Sequence, residues 1–299
     1  MNLKRISYYL GLFCFPISIL AFINILYSSY FDYFLSISSY IVTLIISLLF
    51  GFSLTFIGKN SEKKINFIEQ LILVILVYLF IAALISLPFY LSNYQVTFLN
   101  AFFESVSGIT GTGFSIFENI KYLDPTLILW RSSSQWIGGL YFLFFLLLIF
   151  SNKKFNYKMN EFTYSGDLRI NSEANLKNSL TKIFILYSIL SLTIFLFLNI
   201  SEVRMFNSLN LSMTLVSAGG FIPANSLDKI INSNFQKLVF IFALLISMLN
   251  FFFIFNIFRK KTILRKHEED LYIIVLSLVL ILFIYFDDYR DLGTDWISI

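Results

Sequence analysis

Long apolar runs divide this sequence into segments that can each cross a membrane. A helix needs about 20 mostly apolar residues to span the hydrocarbon core. Seven stretches meet this condition: 7–28, 38–57, 66–90, 126–150, 180–200, 236–258 and 270–287. Of the 299 residues, 58% are hydrophobic and 13% are charged, which is far outside the range of soluble domains. The sequence therefore predicts an all-α polytopic membrane protein with about seven membrane spans.

Basic residues are concentrated in alternate connections between these runs. If every run crosses once, four basic clusters fall on one side: 4–5, 59–64, 153–177 and 259–266. Because positively charged loops stay inside the cell, this side and the N-terminus are predicted to be cytoplasmic. The first run is followed at once by another and lacks a small-residue cleavage site, so we interpret it as a retained helix. Segments 91–125 and 201–235 then face outward.

Each outward segment is predicted to hold a half-length helix followed by a bend that contains glycine. The helices are 96–109, before TGTGFS, and 202–216, before SAGGF. A shift of 107 positions aligns five pairs of similar residues: Ser105 with Ser212, Ser107 with Thr214, Thr110 with Ser217, Gly113 with Gly220 and Phe114 with Phe221. Since the flanking spans align too, the unit of helix, re-entrant pore loop and helix is predicted to occur as parallel repeats.

These bends are predicted to attract a monovalent cation. A half-helix entering from outside points its carbonyl end, with about half a negative elementary charge, toward the membrane centre. Irregular backbone at this depth is tolerated where it lines a water-filled path, and a ring of carbonyls can replace an ion's hydration shell. Neither bend offers the clustered carboxylates expected of a divalent-cation filter. Glu104 is predicted to meet the helix dipole or neighbouring amides, and contact with an ion in transit is the alternative.

The stretch AFFESVSGITGTGFS, followed by WRSSSQWIGGL, resembles the first pore unit of the Trk/Ktr/HKT superfamily of potassium transporters. That unit typically reads as an A-F-F-E-x-V-S pore helix, a bend ending in T-G, and a helix beginning W-R-S-x-x-Q-W-x-G-G. The three elements occur here in order at 101–107, 110–113 and 130–139. The chain departs from the pattern at Gly111, where threonine is common, and at Phe114, where a small residue is common. The second bend, LSMTLVSAGGF, is similar to the family's later loops.

The resemblance implies a TrkH-like membrane subunit with a potassium-binding selectivity filter. Gly113 and Gly220 correspond to the selectivity glycines. Neighbouring backbone carbonyls that hold K+ come from Thr110, Gly111, Thr112, Ser217, Ala218 and Gly219. In the superfamily, glycine at this filter position is associated with potassium selectivity, whereas serine in the first repeat is associated with sodium selectivity. The resemblance implies no catalytic residues and no covalently bound cofactor, with K+ as the transported ion.

By the same resemblance, the chain divides into five segments. They are an extra N-terminal helix pair at 1–60, a first repeat at 61–152, a cytoplasmic loop at 153–179, a second repeat at 180–259, and a loop with the first helix of an incomplete third repeat at 260–299. The superfamily arranges four repeats around one pore. The sequence is therefore expected to be about the N-terminal half of a transporter, which is truncated, completed by a separate chain, or no longer able to transport.

The implied partners are potassium, a second pore subunit in a homodimer, and a cytoplasmic nucleotide-binding regulatory subunit of the TrkA/KtrA type. A separate chain carrying the remaining repeats is a further expected partner, and nucleic acid is not one. The expected location is the cell inner (plasma) membrane. The alternative function is a non-conducting scaffold or remnant membrane subunit. A membrane enzyme is not expected, because the spans offer almost no titratable pairs.

Several other residues receive structural interpretations. Cys14 is predicted to be a small buried hydrophobe, and Gly138 and Gly139 are predicted to pack against a neighbouring helix. Arg131 is predicted either to pair with an outer acidic residue or to anchor at the headgroups. Glu118 and Asp124 are examples of such acidic residues. Trp130 and Trp136 are interpreted as interface or packing aromatics.

Overall fold

The computed structural model describes residues 2–33, 36–61, 65–150, 173–248, 272–273 and 275–280. Regular structure within these residues is helical. The helices are α1 (Leu3–Tyr30), α2 (Ile37–Gly58), α3 (Phe67–Tyr90), α4 (Phe98–Ile109), α5 (Pro125–Phe150), α6 (Glu173–Ile200), α7 (Met205–Val216) and α8 (Asn234–Met248). The predicted all-α class is confirmed.

Five of these helices are long and apolar enough to cross a membrane: α1, α2, α3, α5 and α6. They coincide with the first five stretches that hydropathy predicts. The described part of α8 has 15 residues, and the remainder of the sixth stretch lies outside the described residues. Most of the seventh stretch, 270–287, also lies outside them, although residues 272–273 and 275–280 are helical.

The first helix pair packs through glycine. A Cβ atom added at Gly11 would lie 2.9 Å from the Gly51 carbonyl oxygen, and one added at Gly58 would overlap the Lys4 carbonyl oxygen. Small residues of this kind let membrane helices approach closely. Cys14, on the same helix as Gly11, is fully buried and unoxidised, as its sequence context predicts.

The N-terminal ends of α1 and α3 are tied together by Glu69. Its carboxylate closes a capping box with Asn66 at the start of α3, which satisfies backbone groups that the helix leaves free. The same carboxylate accepts hydrogen bonds from the Asn2 backbone N–H at 2.7 Å and from Arg5 at 3.3 Å. Both helices therefore begin on the same side of the protein. This is the arrangement expected if α1 and α2 each cross the membrane once before α3 begins.

The centre of the bundle is α5. Within its most apolar window 67% of the residues are buried, against 22% for α2 and 28% for α6. Two tryptophans on α5 bond to helices on opposite sides. Trp130 Nε1 donates to the Ile85 carbonyl at 3.0 Å, and Trp136 Nε1 donates to Ser191 Oγ at 2.8 Å. Trp130 is buried, and Trp136 is partly buried and packs against the core.

The half-length helices are α4 and α7, each 12 residues long. At a rise of 1.5 Å per residue they extend about 18 Å, which is too short to cross the hydrocarbon core. A shift of 107 positions superimposes their bounds, Phe98–Ile109 on Met205–Val216. They begin two and three residues later than predicted. The first starts after Thr97, an extended N-cap whose side chain accepts from the Asn100 N–H, and the second starts after Glu202, whose φ of 67° no α-helix continues through.

Candidate functional site

Both half-helices end in the same hydrogen-bonded cap. At the first, the Thr112 N–H donates to the Ser107 carbonyl and the Gly111 N–H donates to the Gly108 carbonyl, both at 3.0 Å. At the second, the equivalent bonds run from Gly219 to Thr214 at 2.8 Å and from Ala218 to Leu215 at 2.9 Å. This pair of bonds defines the Schellman motif. The predicted repeat therefore extends to the backbone geometry of the bends.

The cap requires a left-handed residue directly after the helix. Gly111 occupies this position in the first bend with φ 68°, and Ala218 occupies it in the second with φ 51°. Glycine adopts this conformation without strain, whereas alanine brings its Cβ close to the following carbonyl oxygen. The second bend therefore contains a strained backbone that the first avoids.

The carbonyl oxygens after the caps are unpaired. Within the described residues, no hydrogen bond ends on the backbone oxygens of 110–113 or of 217–220. The residues of both bends are partly or fully exposed. Unpaired carbonyls that water or an ion can reach are the groups from which cation filters are built.

The two bends lie against each other. A Cβ atom added at Gly113 would lie 3.0 Å from the Gly220 Cα and 3.2 Å from the Gly219 carbonyl oxygen. A Cβ added at Gly111 would lie 3.5 Å from the Ser217 carbonyl oxygen. The structure thus brings together six of the eight residues to which the resemblance assigns the filter: Gly111, Gly113, Ser217, Ala218, Gly219 and Gly220.

A buried ion pair holds the chain that leaves the first bend. Glu104 Oε1 accepts from Arg131 Nε at 2.8 Å, and the two side chains are 0% and 1% exposed. Glu104 also accepts from Ser115 Oγ at 3.1 Å and, through Oε2, from the Ile116 N–H at 2.9 Å. Arg131 completes the network by donating to Ser115 at 2.9 Å. This network fixes the residues that follow Gly113.

Arg131 pairs with an acidic residue of the outward segment, Glu104, but neither of the two candidates named from the sequence, Glu118 and Asp124, is its partner. Glu118 is exposed, and Asp124 instead accepts a bond from the Thr126 N–H at 3.1 Å, where it caps the start of α5. Because Arg131 lies inside the protein, headgroup anchoring is excluded as well. The prediction that Glu104 meets neighbouring amides is borne out by its bond to Ile116.

One face of α5 packs closely against the first half-helix. A Cβ atom added at Gly138 would overlap the Ile109 carbonyl oxygen, and one added at Gly108 would overlap Ser134 Oγ. The Ser134 hydroxyl donates to the Arg131 carbonyl of its own helix, so it does not donate to a carbonyl of the bend. The predicted packing role of Gly138 agrees with this contact.

An adjacent face of α5 contacts the second bend. Gln135 Oε1 accepts from the Phe221 N–H at 3.2 Å, and the Arg131 guanidinium carbon lies 4.3 Å from the centre of the Phe221 ring. Sequence reasoning missed the role of Gln135. The available signal was a glutamine inside an apolar span, since such a residue must find a polar partner in the protein.

The described residues contain no group of three or more His, Cys, Asp or Glu side chains that could hold a metal ion. The bends themselves offer backbone carbonyl oxygens and the hydroxyls of Thr110, Thr112 and Ser217. This donor set suits a weakly held monovalent ion rather than a tightly coordinated transition metal.

The helices and the paired bends define a multi-pass membrane protein with two pore-loop units. Residues 36–285 match TrkH, a family described as cation transport protein, and the chain belongs to this family. The structure is also similar to the crystal structure of the potassium transporter TrkH from Vibrio parahaemolyticus, with a TM-score of 0.80 and 20% identity, covering 96% of this chain and 59% of that one. The chain is thus a multi-pass membrane protein with the pore-loop fold.

Two curated relatives illustrate the extent of the sequence likeness. An uncharacterized cation transporter of Methanocaldococcus jannaschii is 28% identical over 193 residues, covering 61% of this chain and 39% of the relative. The Trk system potassium uptake protein TrkG of Escherichia coli is 22% identical over 231 residues, covering 76% of this chain and 48% of the relative. The chain spans about half the length of the curated relatives it matches.

Proposed function

We propose that this chain supplies two pore-loop units of a potassium uptake protein in the cytoplasmic membrane. The observation that carries the proposal is the pair of neighbouring bends with identical caps and unpaired carbonyl oxygens at 110–113 and 217–220. The relatives named as Trk potassium uptake proteins and the family membership support potassium as the ion. The proposal includes both passive potassium flux and flux that is coupled to a second ion.

Two bends offer half of a ring. A monovalent ion whose hydration shell is replaced by carbonyls needs oxygens on all sides, so further repeats are proposed to complete the filter. The domain division at 1–60, 61–152, 153–179, 180–259 and 260–299 is part of this proposal. The matching ends of α1 and α3 at Glu69 support a topology in which both begin on the cytoplasmic side.

The proposed partners follow from the same reasoning. A homodimer of pore subunits and a nucleotide-binding regulatory subunit of the TrkA/KtrA type are proposed to assemble with the complete transporter. The basic clusters at 153–177 and 259–266 are the proposed cytoplasmic docking segments, since positively charged loops remain on that side.

Growth and uptake test the function. A cell without its own potassium uptake systems would express the 299-residue chain, alone and with any coding sequence that follows it in the gene. Growth at limiting potassium, together with rubidium uptake, in either form supports the proposal. Absence of both in both forms, with the protein present in the membrane, would favour the non-conducting scaffold or remnant instead.

Gly113→Ser tests the filter assignment. Gly113 has φ 81°, a conformation that strains any L side chain, and the added Cβ would meet the Gly220 Cα at 3.0 Å. We expect a weaker preference for potassium over sodium in competitive uptake. Gly51→Ser is the matched control, because its Cβ would meet the Phe15 ring, in the first helix pair. Equal ion ratios in both variants would refute the assignment.

A further inference from the structure

Gln135 lies on a helix of the first repeat, yet its side chain contacts the bend of the second. The residue is 0% exposed, and its Oε1 accepts a hydrogen bond from the Phe221 N–H at 3.2 Å. Phe221 directly follows the four residues assigned to the second half of the filter. One repeat therefore holds the backbone at the end of the other repeat's bend.

Gln135 packs tightly against the second bend. A Cβ atom added at Gly219 would overlap the Gln135 side-chain amide. One turn further along α5, a Cβ added at Gly139 would lie 2.9 Å from the Ser217 Cβ. Gln135 and Gly139 lie four residues apart and so share one helix face. This face supports the second bend over residues 217–221.

Packing alone does not account for a glutamine at this position. Its Nε2 is buried and has no hydrogen-bond partner among the described residues. A buried polar group without a partner costs about 1–3 kcal/mol, so packing alone would favour an apolar side chain of the same length. The bond to the Phe221 N–H is the polar contact that offsets this cost.

The two bends are fastened differently. The first is closed within its own repeat, where Ser107 Oγ donates to the Phe114 carbonyl at 2.6 Å. The shift of 107 positions places Phe242 at the position of Gln135, and this phenylalanine is 54% exposed. The apolar ring of Phe242 accepts no amide bond. A change at Gln135 is therefore expected to act directly on the second bend and to reach the first only through their contact at Gly113.

We propose that Gln135 is a positioning residue that sets ion preference through the second bend. The inference rests on the proposed function, since it requires residues 217–220 to line the ion path. A filter discriminates by the number and field strength of the carbonyls that replace the ion's water. Loss of the bond to Phe221 frees the backbone next to Gly220 and alters those carbonyls.

The test compares two variants of Gln135 in the form of the protein that supports rubidium uptake. Gln135→Met keeps the length and removes the acceptor, and we expect the ratio of potassium to sodium uptake to fall about threefold to tenfold. Gln135→Glu keeps an acceptor oxygen and is expected to retain more of the ratio. The control is Ser133→Ala, because Ser133 is buried but bonds to its own helix at the Trp130 carbonyl, at 3.0 Å.

Amide hydrogen exchange on the purified protein gives a readout that does not depend on transport. Gln135→Met is expected to speed exchange in 217–222 clearly more than in 110–116. An unchanged ion ratio in Gln135→Met, with wild-type uptake intact, would overturn the role in ion preference. Unchanged exchange would overturn the bracing itself. If the wild-type protein takes up neither ion, the proposed function fails and the role in ion preference with it, whereas exchange still decides the bracing.

Discussion

Removal of the buried charge at Glu104 should destabilise the first bend strongly. Glu104→Gln preserves the shape of the side chain but replaces one carboxylate oxygen with an amide group that donates. In the wild type, Glu104 Oε2 lies 2.9 Å from the Ile116 nitrogen and Oε1 lies 2.8 Å from Arg131 Nε. In the variant, the remaining oxygen can accept from the Ile116 N–H, and the new NH2 group then faces the Arg131 Nε–H, which is also a donor. The variant therefore loses a charge-assisted hydrogen bond and leaves a buried guanidinium without its counter-charge.

The expected magnitude follows from these two losses. A hydrogen bond to a charged group contributes about 1.5–3 kcal/mol, and breaking a buried pair by removing one partner costs about 3–5 kcal/mol in total. Arg131→Met should cost a similar amount, because it strands the carboxylate. The double variant lacks both charges, so its cost should fall short of the sum by about 2–3 kcal/mol.

The assay is unfolding of the purified protein in detergent micelles, measured for the wild type, both single variants and the double variant. Glu118→Gln provides the matched control, because this exposed carboxylate undergoes the same chemical change and should shift stability by less than about 0.5 kcal/mol. The reasoning is refuted if Glu104→Gln costs no more than Glu118→Gln. The reasoning is also refuted if the stability cost of the double variant equals the sum of the costs of the two single variants.

Three positions, Gly138, Gly111 and Ala218, give further predictions. Gly138→Ala would drive a Cβ into the Ile109 carbonyl oxygen, so we expect a loss of about 1–3 kcal/mol in the same unfolding assay, and wild-type stability would contradict the close packing. Gly111→Ala should destabilise by about 1 kcal/mol, since φ is 68° there, whereas Ala218→Gly, at φ 51°, should stabilise by about 0.5 kcal/mol. Shifts of the same sign in these two variants would contradict the cap assignment.

Much of the site could be predicted because its signals are local in sequence. The bend after each half-helix is marked by glycine and small residues within five positions, and the 107-residue shift makes the second bend visible through the first. The start of the second half-helix was less visible, because the positive φ at Glu202 falls on a residue without a turn signature. Propensity alone continues the helix through such positions.

The contacts of α5 could not be read from the sequence. Arg131 lies seven residues from Asp124 and 27 from Glu104, so proximity along the chain favoured the wrong partner. Helix packing instead placed its side chain against α4, where Glu104 is buried. Gln135 and Phe221 are 86 residues apart, and no local pattern relates them.

The sequence by itself determined the membrane-spanning class, the five described spans and the two bends. Hydropathy and helix length are properties of continuous segments, so each span carries its own signal. Only the tertiary structure decided that α5 stands at the centre and that its two faces support different bends. These relations depend on which backbones can approach closely, and that in turn depends on glycines such as Gly138 and Gly219 meeting atoms from distant parts of the chain.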